Sequence, residues 1–345
     1  MQGSSAVTCS LLRLPREIRD LIWECLFIST TLTSGDRHVS RISTYRVKPN
    51  PNSLAILRTC QQIHRETKDL WLKLVLFDFT HIEFLLDKFS PLPLPVLSQI
   101  RRTRVSSRPL MLSPPDCDDD IYYRLDSAFA LVPGLQLKTL EVDATVESDM
   151  VVYDTISRLV ERGSGWRELQ VFIPNSKVLA YKVDPDEFFG FPEYRRTPQP
   201  DGWTRALRRR DGQNSASEVK IYRTRQPNAD PGAVYDPSMR ETFTQKPQAN
   251  STFGLEEDAF LISEQELGNQ MLVVVKRAPD AEIVEDIERQ NAQEYDGEDI
   301  RQWAGNMTWD EIRKASMSLF DDDESFEEGD GSSEEGNSEH EPFAF

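Results

Sequence analysis

The chain has 345 residues, 28% of them charged, and a formal net charge of -18. Such a length admits one large domain or two small ones and buries a core without staples; Cys9, Cys25, Cys60 and Cys117 stand at wide spacings with no C-x-x-C pair, which suggests neither a zinc site nor a disulfide framework. From Pro279 onward there are 22 acidic residues against 4 basic ones, so the earlier chain is neutral and carries no electrostatic footprint for nucleic acid. The N-terminus shows no basic region leading into an apolar run, and no stretch nears the roughly 18 apolar residues of a membrane span. The expectation is a protein without membrane association, cytoplasmic or nuclear.

In chain order, "LLRLPREIRDLIWECLF" predicts a helix with Pro15 in its first turn and a buried stripe of Leu14, Ile18, Leu21, Ile22, Cys25 and Leu26. Residues 29 to 53 read as a long loop with a short strand near "RISTYRV". "SLAILRTCQQIHRETKDLWLKL" repeats the helical pattern, with Ser53 as cap and Leu57, Cys60, Ile63 or His64, Thr67, Trp71 and Leu74 on one side; "VLFDF" reads as a strand and "HIEFLLDKF" as a helix ended by "SPLPLP". The runs "IRRTRVS", "LKTLEVDA" and "RELQVFI" alternate as strands, and "DMVVYDTISRLVERG" between the last two reads as a helix with Gly163 at its C-terminus. "WTRALRRRDG" is a short helix, "SEVKIYRT" a strand expected at the sheet's edge, residues 224 to 255 a loop, and "QMLVVVKRA" a lone late strand. "PDAEIVEDIERQNAQEY" reads as a polar helix, and "TWDEIRKASMSLF" as a helix with a capping box of Thr308 and Glu311. Residues 321 to 345 are too acidic to bury anything.

The expected class is α/β (or α+β). Its segments are a helical module (9–80), an irregular sheet domain resembling a leucine-rich-repeat solenoid (81–223), a loop-rich extension with a late strand and helices (224–320), and an acidic tail (321–345).

No phosphate cradle, nucleophile elbow or zinc-peptidase motif occurs. His38, His64, His81 and His340 do not converge in sequence, and Asp118 to Asp120 lack the glycine and ligand spacing of a calcium loop. The basic clusters "IRRTR" and "ALRRRDG" are short and read as solvated or internally paired. These observations predict a non-enzymatic protein with no cofactor and no metal.

Leu14, Pro15, Glu17, Ile18, Ile22 and Leu26, followed by Leu57, Cys60, Ile63, Leu70 and Trp71, resemble the F-box-like N-terminal module of a large group of fungal proteins. The later "GWRELQVF" and "W…RRRDGQNSASEVKIYR" are similar to further elements of that group, so the resemblance runs over roughly residues 11 to 223. The separation of Leu26 from Leu57 is longer than in ordinary F-boxes, and Gln61 stands where a basic residue is usual. The resemblance implies a substrate receptor that docks on the Skp-type adaptor of a cullin-based ubiquitin ligase and holds an unknown protein substrate, with Leu12, Leu14, Pro15, Ile18, Ile22, Trp23, Leu26 and Phe27 at the adaptor. Leu11, Leu12, Trp23 and Phe27, off the main stripe, are the expected outward residues. Two alternatives stay open: a first helix that only packs on the second, and a scaffold with no ligase role whose acidic tail engages a basic protein.

Overall fold

A computed structural model describes residues 10–35, 54–114, 120–145, 147–180, 197–246, 258–283 and 299–317. The strands are β1 (Thr31–Ser34), β2 (Leu76–Phe79), β3 (Arg102–Ser106), β4 (Leu110–Leu112), β5 (Ile121–Tyr123), β6 (Leu137–Asp143), β7 (Trp166–Ile173), β8 (Glu218–Thr224), β9 (Arg240–Phe243) and β10 (Met271–Lys276). The helices are α1 (Arg16–Ile28), α2 (Gln61–Thr67), α3 (Trp71–Leu74), α4 (Ile82–Phe89), α5 (Leu94–Leu97), α6 (Leu125–Phe129), α7 (Asp149–Glu161), α8 (Lys177–Ala180), α9 (Asp201–Asp211), α10 (Glu264–Leu267), α11 (Arg301–Ala304) and α12 (Trp309–Met317).

Eight strands form one mixed sheet in the order β1-β2-β3-β6-β7-β10-β8-β9, and β4 and β5 make a separate hairpin. The first five of these strands run parallel, while β10, β8 and β9 are joined antiparallel. The fold is therefore mixed α/β with a large sheet. It draws strands from both sides of residues 80 and 223, and the main core runs from Trp23 to Ile312 across those positions.

Alternation decides which strand residues enter that core. Phe77 and Phe79 of β2, Val105 of β3, Leu140 and Val142 of β6, and Leu169 and Val171 of β7 meet the helices in the main core. Helix α4 contributes Ile82, Leu85, Leu86 and Phe89, and α7 contributes Val152, Ile156, Leu159 and Val160, each set at the three-and-four spacing of one helical face. On the opposite face of the sheet, Phe172, Leu272 and Val274 pack beneath Val234, with Tyr235 stacked on Phe172. Next to that apolar patch the face is polar: Asp78, Arg104 and Glu141 are register neighbours across β2, β3 and β6, and the Arg104 guanidinium donates to Glu141 at 2.6 and 2.9 Å. Burial pushes the Asp78 carboxyl upward.

Strand β10 is buried at five consecutive positions because it lies between β7 and β8 with a covered surface on each face, which explains its unbroken apolar run. Two expectations are corrected here. The strand read as lone is central, and β8, expected at the edge, has β9 outside it. A third correction concerns residues 53 to 74, where one helix was expected. A 3₁₀ turn (Ala55–Arg58), α2 and α3 stand there instead, and Leu70 N–H to Thr67 O at 3.0 Å closes the turn between the helices. The strand near "RISTYRV", the Ser53 cap, most of the polar helix after Pro279 and the acidic tail fall outside the described residues.

Helix α9 is pinned to α7 by Trp203, whose indole N–H donates to Ser157 Oγ at 2.9 Å. At the end of α9, Asp211 is fully enclosed and accepts from Arg277 at 2.7 Å and from Ser217 Oγ at 2.7 Å. Asp211→Ala leaves a 4%-exposed guanidinium without its carboxylate. It should lower the unfolding free energy by about 3 kcal/mol in denaturant titration, whereas Arg209→Ala, at an exposed position, should leave it within about 0.5 kcal/mol.

Candidate functional site

A 3₁₀ turn (Ser10–Arg13) precedes α1, and Pro15, expected in the first turn, stands one residue earlier at the N-cap, its carbonyl accepting from Arg19 N–H at 3.2 Å. The residues that α1 buries are Arg19, Trp23 and Phe27. They recur every four positions, and Trp23 and Phe27 are almost without solvent contact. The expected buried stripe faces the other way: Ile18 and Leu21 are 44 and 57% exposed, Leu14 and Leu26 are both 37% exposed, and Cys25 is exposed and free; Ile28, outside that stripe, is 53% exposed beside them. Ile22, Leu11 and Leu12 are half-buried against the core. The expected division of α1 is thus inverted, because Trp23 and Phe27, expected outside with Leu11 and Leu12, are inside. The two large rings remove more apolar area from water than Leu21 or Ile18 would.

A polar network sets this orientation. Glu66, on α2, accepts from Arg19 Nη2 at 2.6 Å, from Arg19 Nε at 3.1 Å and from Trp23 Nε1 at 3.2 Å, and Gln62 adds a further donor at 3.2 Å. Arg19 Nη1 also donates to Leu14 O at 2.5 Å, tying the turn before α1 to its second turn. The Glu66 side chain is 5% exposed, and hydrogen bonding from Arg19 outweighs desolvation to hold its carboxyl at about 2 instead of 4.5.

With Trp23 held inward, Ile18, Leu21, Cys25 and Ile28 line the outer face at spacings of three, four and three. That is the seam along which a second helix packs. The expected contact residues therefore fall into two sets. Leu14, Ile18 and Leu26 share the exposed surface with Leu21 and Ile28, which were not singled out as contacts; Trp23 and Phe27 lie beneath it, and Leu12 and Ile22 lie at its border. The missed signal is the four-residue repeat Arg19, Trp23, Phe27, which reads as a buried stripe only once the arginine is granted a carboxylate partner.

No comparable site for small-molecule chemistry forms among the described residues. No group of three or more His, Cys, Asp or Glu side chains there could hold a metal ion, and a pocket lined by Phe129, Val132, Leu135 and Gly165 encloses about 10 Å³, room for one water. His64 Nδ1 lies 3.2 Å from Leu57 O, and Asp120 accepts from Ser113 Oγ at 2.5 Å, so both have local partners. No helix among the described residues is long and apolar enough to cross a membrane. No family model, no curated protein and no solved structure matches the chain.

Because Glu66 titrates far lower folded than unfolded, the stability it supplies is present above pH 4.5 and is lost as pH falls toward 2. Glu66→Gln should therefore cost about 1 to 2 kcal/mol at pH 7 and flatten the dependence between pH 4.5 and 2, measured by denaturation at fixed pH steps.

Proposed function

We propose that the chain is a non-enzymatic protein-interaction adaptor and that the outer face of α1 is its docking element. The observation that carries this reading is the exposure of Ile18, Leu21, Cys25 and Ile28 on a helix whose other face is already committed to the core. A soluble chain that exposes a linear apolar seam gains by covering it, and the spacing of the seam favours a helical partner. The resemblance of the segment from Leu14 to Trp71 to an F-box-like module supplies the identity: a Skp-type adaptor of a cullin-based ubiquitin ligase, with the remainder of the chain holding a protein substrate. The same face on a scaffold without a ligase role is the second reading.

Ile18 and Leu21 are exposed, so charged substitutions there perturb binding without opening a cavity. Tagged wild-type protein purified from its host cells should carry Skp-type and cullin subunits, and Ile18→Asp with Leu21→Asp should remove them at unchanged circular dichroism. Purified Skp-type adaptor should also slow maleimide labelling of Cys25 by at least about tenfold, a factor equivalent to about 1.4 kcal/mol of protection. If the folded wild type carries no such subunits and Cys25 labels at the same rate with the adaptor present, the ligase reading fails.

A further inference from the structure

We infer that the outward arginines of α9 form a docking site for this chain's own acidic segment, residues 321–345. Arg205, Arg208 and Arg209 occupy positions i, i+3 and i+4 of α9, one surface of the helix, while Trp203 and Leu207 are buried toward the core. All three are exposed, and none makes an ion pair or side-chain hydrogen bond among the described residues. Several arginines elsewhere reach carboxylates, as Arg16 meets Asp20, Arg104 meets Glu141, Arg124 meets Asp154 and Arg313 meets Asp87; α9 differs in placing three without one on a single helix surface. Asp201, exposed and four residues before Arg205, makes no ion pair with it among the described residues; Asp211 gives Arg208 and Arg209 no relief, since it is enclosed beneath Arg277, and Arg210 turns inward to the carbonyls of Val160 and Gly163. The helix dipole accounts for cations in the last turn of α9, but Arg205 stands a turn earlier.

The occupant is argued from charge and reach. Residues 321–345 hold 11 acidic side chains and no lysine or arginine. They follow α12, which Asp87 holds on α4 through Trp309 Nε1 at 2.6 Å and Arg313 at 2.9 Å. From α4 the helices contact one another in the order α4, α6, α7, α9. At about 10 Å per packed pair, these four contacts put α9 no more than about 40 Å from α12, and the chain from residue 318 to Glu334 and Glu335 spans up to about 55 Å. A tether of this length gives a local concentration on the order of millimolar, enough to populate a weak, salt-sensitive contact. The bound segment is thereby withheld from any basic partner. This inference does not depend on what α1 binds.

The test uses the full chain with Arg205→Lys, Arg208→Lys and Arg209→Lys, which keeps the charge and adds amines. Carbodiimide coupling at low salt joins an amine to a nearby carboxylate with loss of water, and peptide mass spectrometry maps the links. Links from positions 205, 208 and 209 to carboxylates between 327 and 341 are expected within single chains, identified by mixing isotope-labelled and unlabelled protein, and they should fall at least about fivefold at about 0.5 M salt. The Lys276–Glu168 pair, at 3.8 Å, reports that coupling works. The inference is overturned if that control links while the α9 amines do not, if the tail couples equally to Lys246 and Lys314, or if its links to α9 run only between labelled and unlabelled chains.

Discussion

The roll of α1 about its own axis depends on one carboxylate. Glu66 accepts from both Arg19 and Trp23, and these donors lie four residues apart, on the same side of the helix. A buried indole N–H without an acceptor costs about 1 to 3 kcal/mol, so a waiting acceptor favours the inward position of Trp23 by that amount. Once Glu66 supplies it, Phe27 follows Trp23 into the core at the next turn. Ile18, Leu21 and Ile28 are left in solvent as a consequence. The apolar surface that supports the adaptor reading is therefore the counterpart of a polar contact, and α1 cannot bury both of its apolar faces against the same core.

The other end of α1 is fixed from the sheet. Arg102, on β3, donates from Nη1 to the carbonyls of Ile28 and Leu74 at 3.2 Å each, while its Nη2 lies 3.8 Å from Glu141 on β6. Orphan carbonyls at a helix C-terminus require donors, and here one guanidinium serves the last residue of α1 and the last residue of α3 together. The helix is thus anchored near its start by Glu66 and at its end by Arg102. A docking surface held at two points loses little entropy on binding, which favours recognition by a preformed seam over folding upon contact.

Much of this architecture was legible in the sequence where a single physical rule governs an element. Helices α4 and α7 have one buried face and solvent or loops elsewhere, so their apolar letters mark the face correctly. The alternation of β3, β6 and β7 was readable because the sheet has a packed side and a polar side. The capping box at α12 is local by nature: Thr308 N–H donates to Glu311 at 2.7 Å, and Glu311 N–H returns to Thr308 Oγ1 at 3.4 Å. Gly163 does follow the end of α7, but not in the left-handed conformation that a capping glycine supplies; what excludes a side chain there is Leu159 O, 2.7 Å from where a Cβ would stand. What escaped were the elements whose environment is set by distant chain. The central place of β10 depends on β7 and β8, about 50 to 100 residues earlier, and the single expected helix after residue 53 ignored the turn at Leu70. In α1 the error was of another kind. Hydrophobic periodicity counts apolar letters equally and finds the wider stripe, Leu14 to Leu26, whereas burial followed ring size and an arginine whose carboxylate lies 47 residues away.

The two surfaces argued to act lie in different parts of the fold, and the connectivity keeps them separate. Helix α1 contacts α3 and belongs with β1 and β2 at one end of the sheet, while α9 packs on α7 and β8 toward the other. Between them, α12 closes onto α4 through Asp87. The surroundings of α1 are mixed in charge, with Arg13, Arg16, Glu17 and Glu24 exposed beside an apolar outward stripe and Arg16 already paired with Asp20. The free arginines of α9 supply a field of one sign. If the tail docks on α9 as inferred, it stays clear of the apolar seam of α1, and the proposed partner helix would cover that seam without competition from the chain's own acidic end.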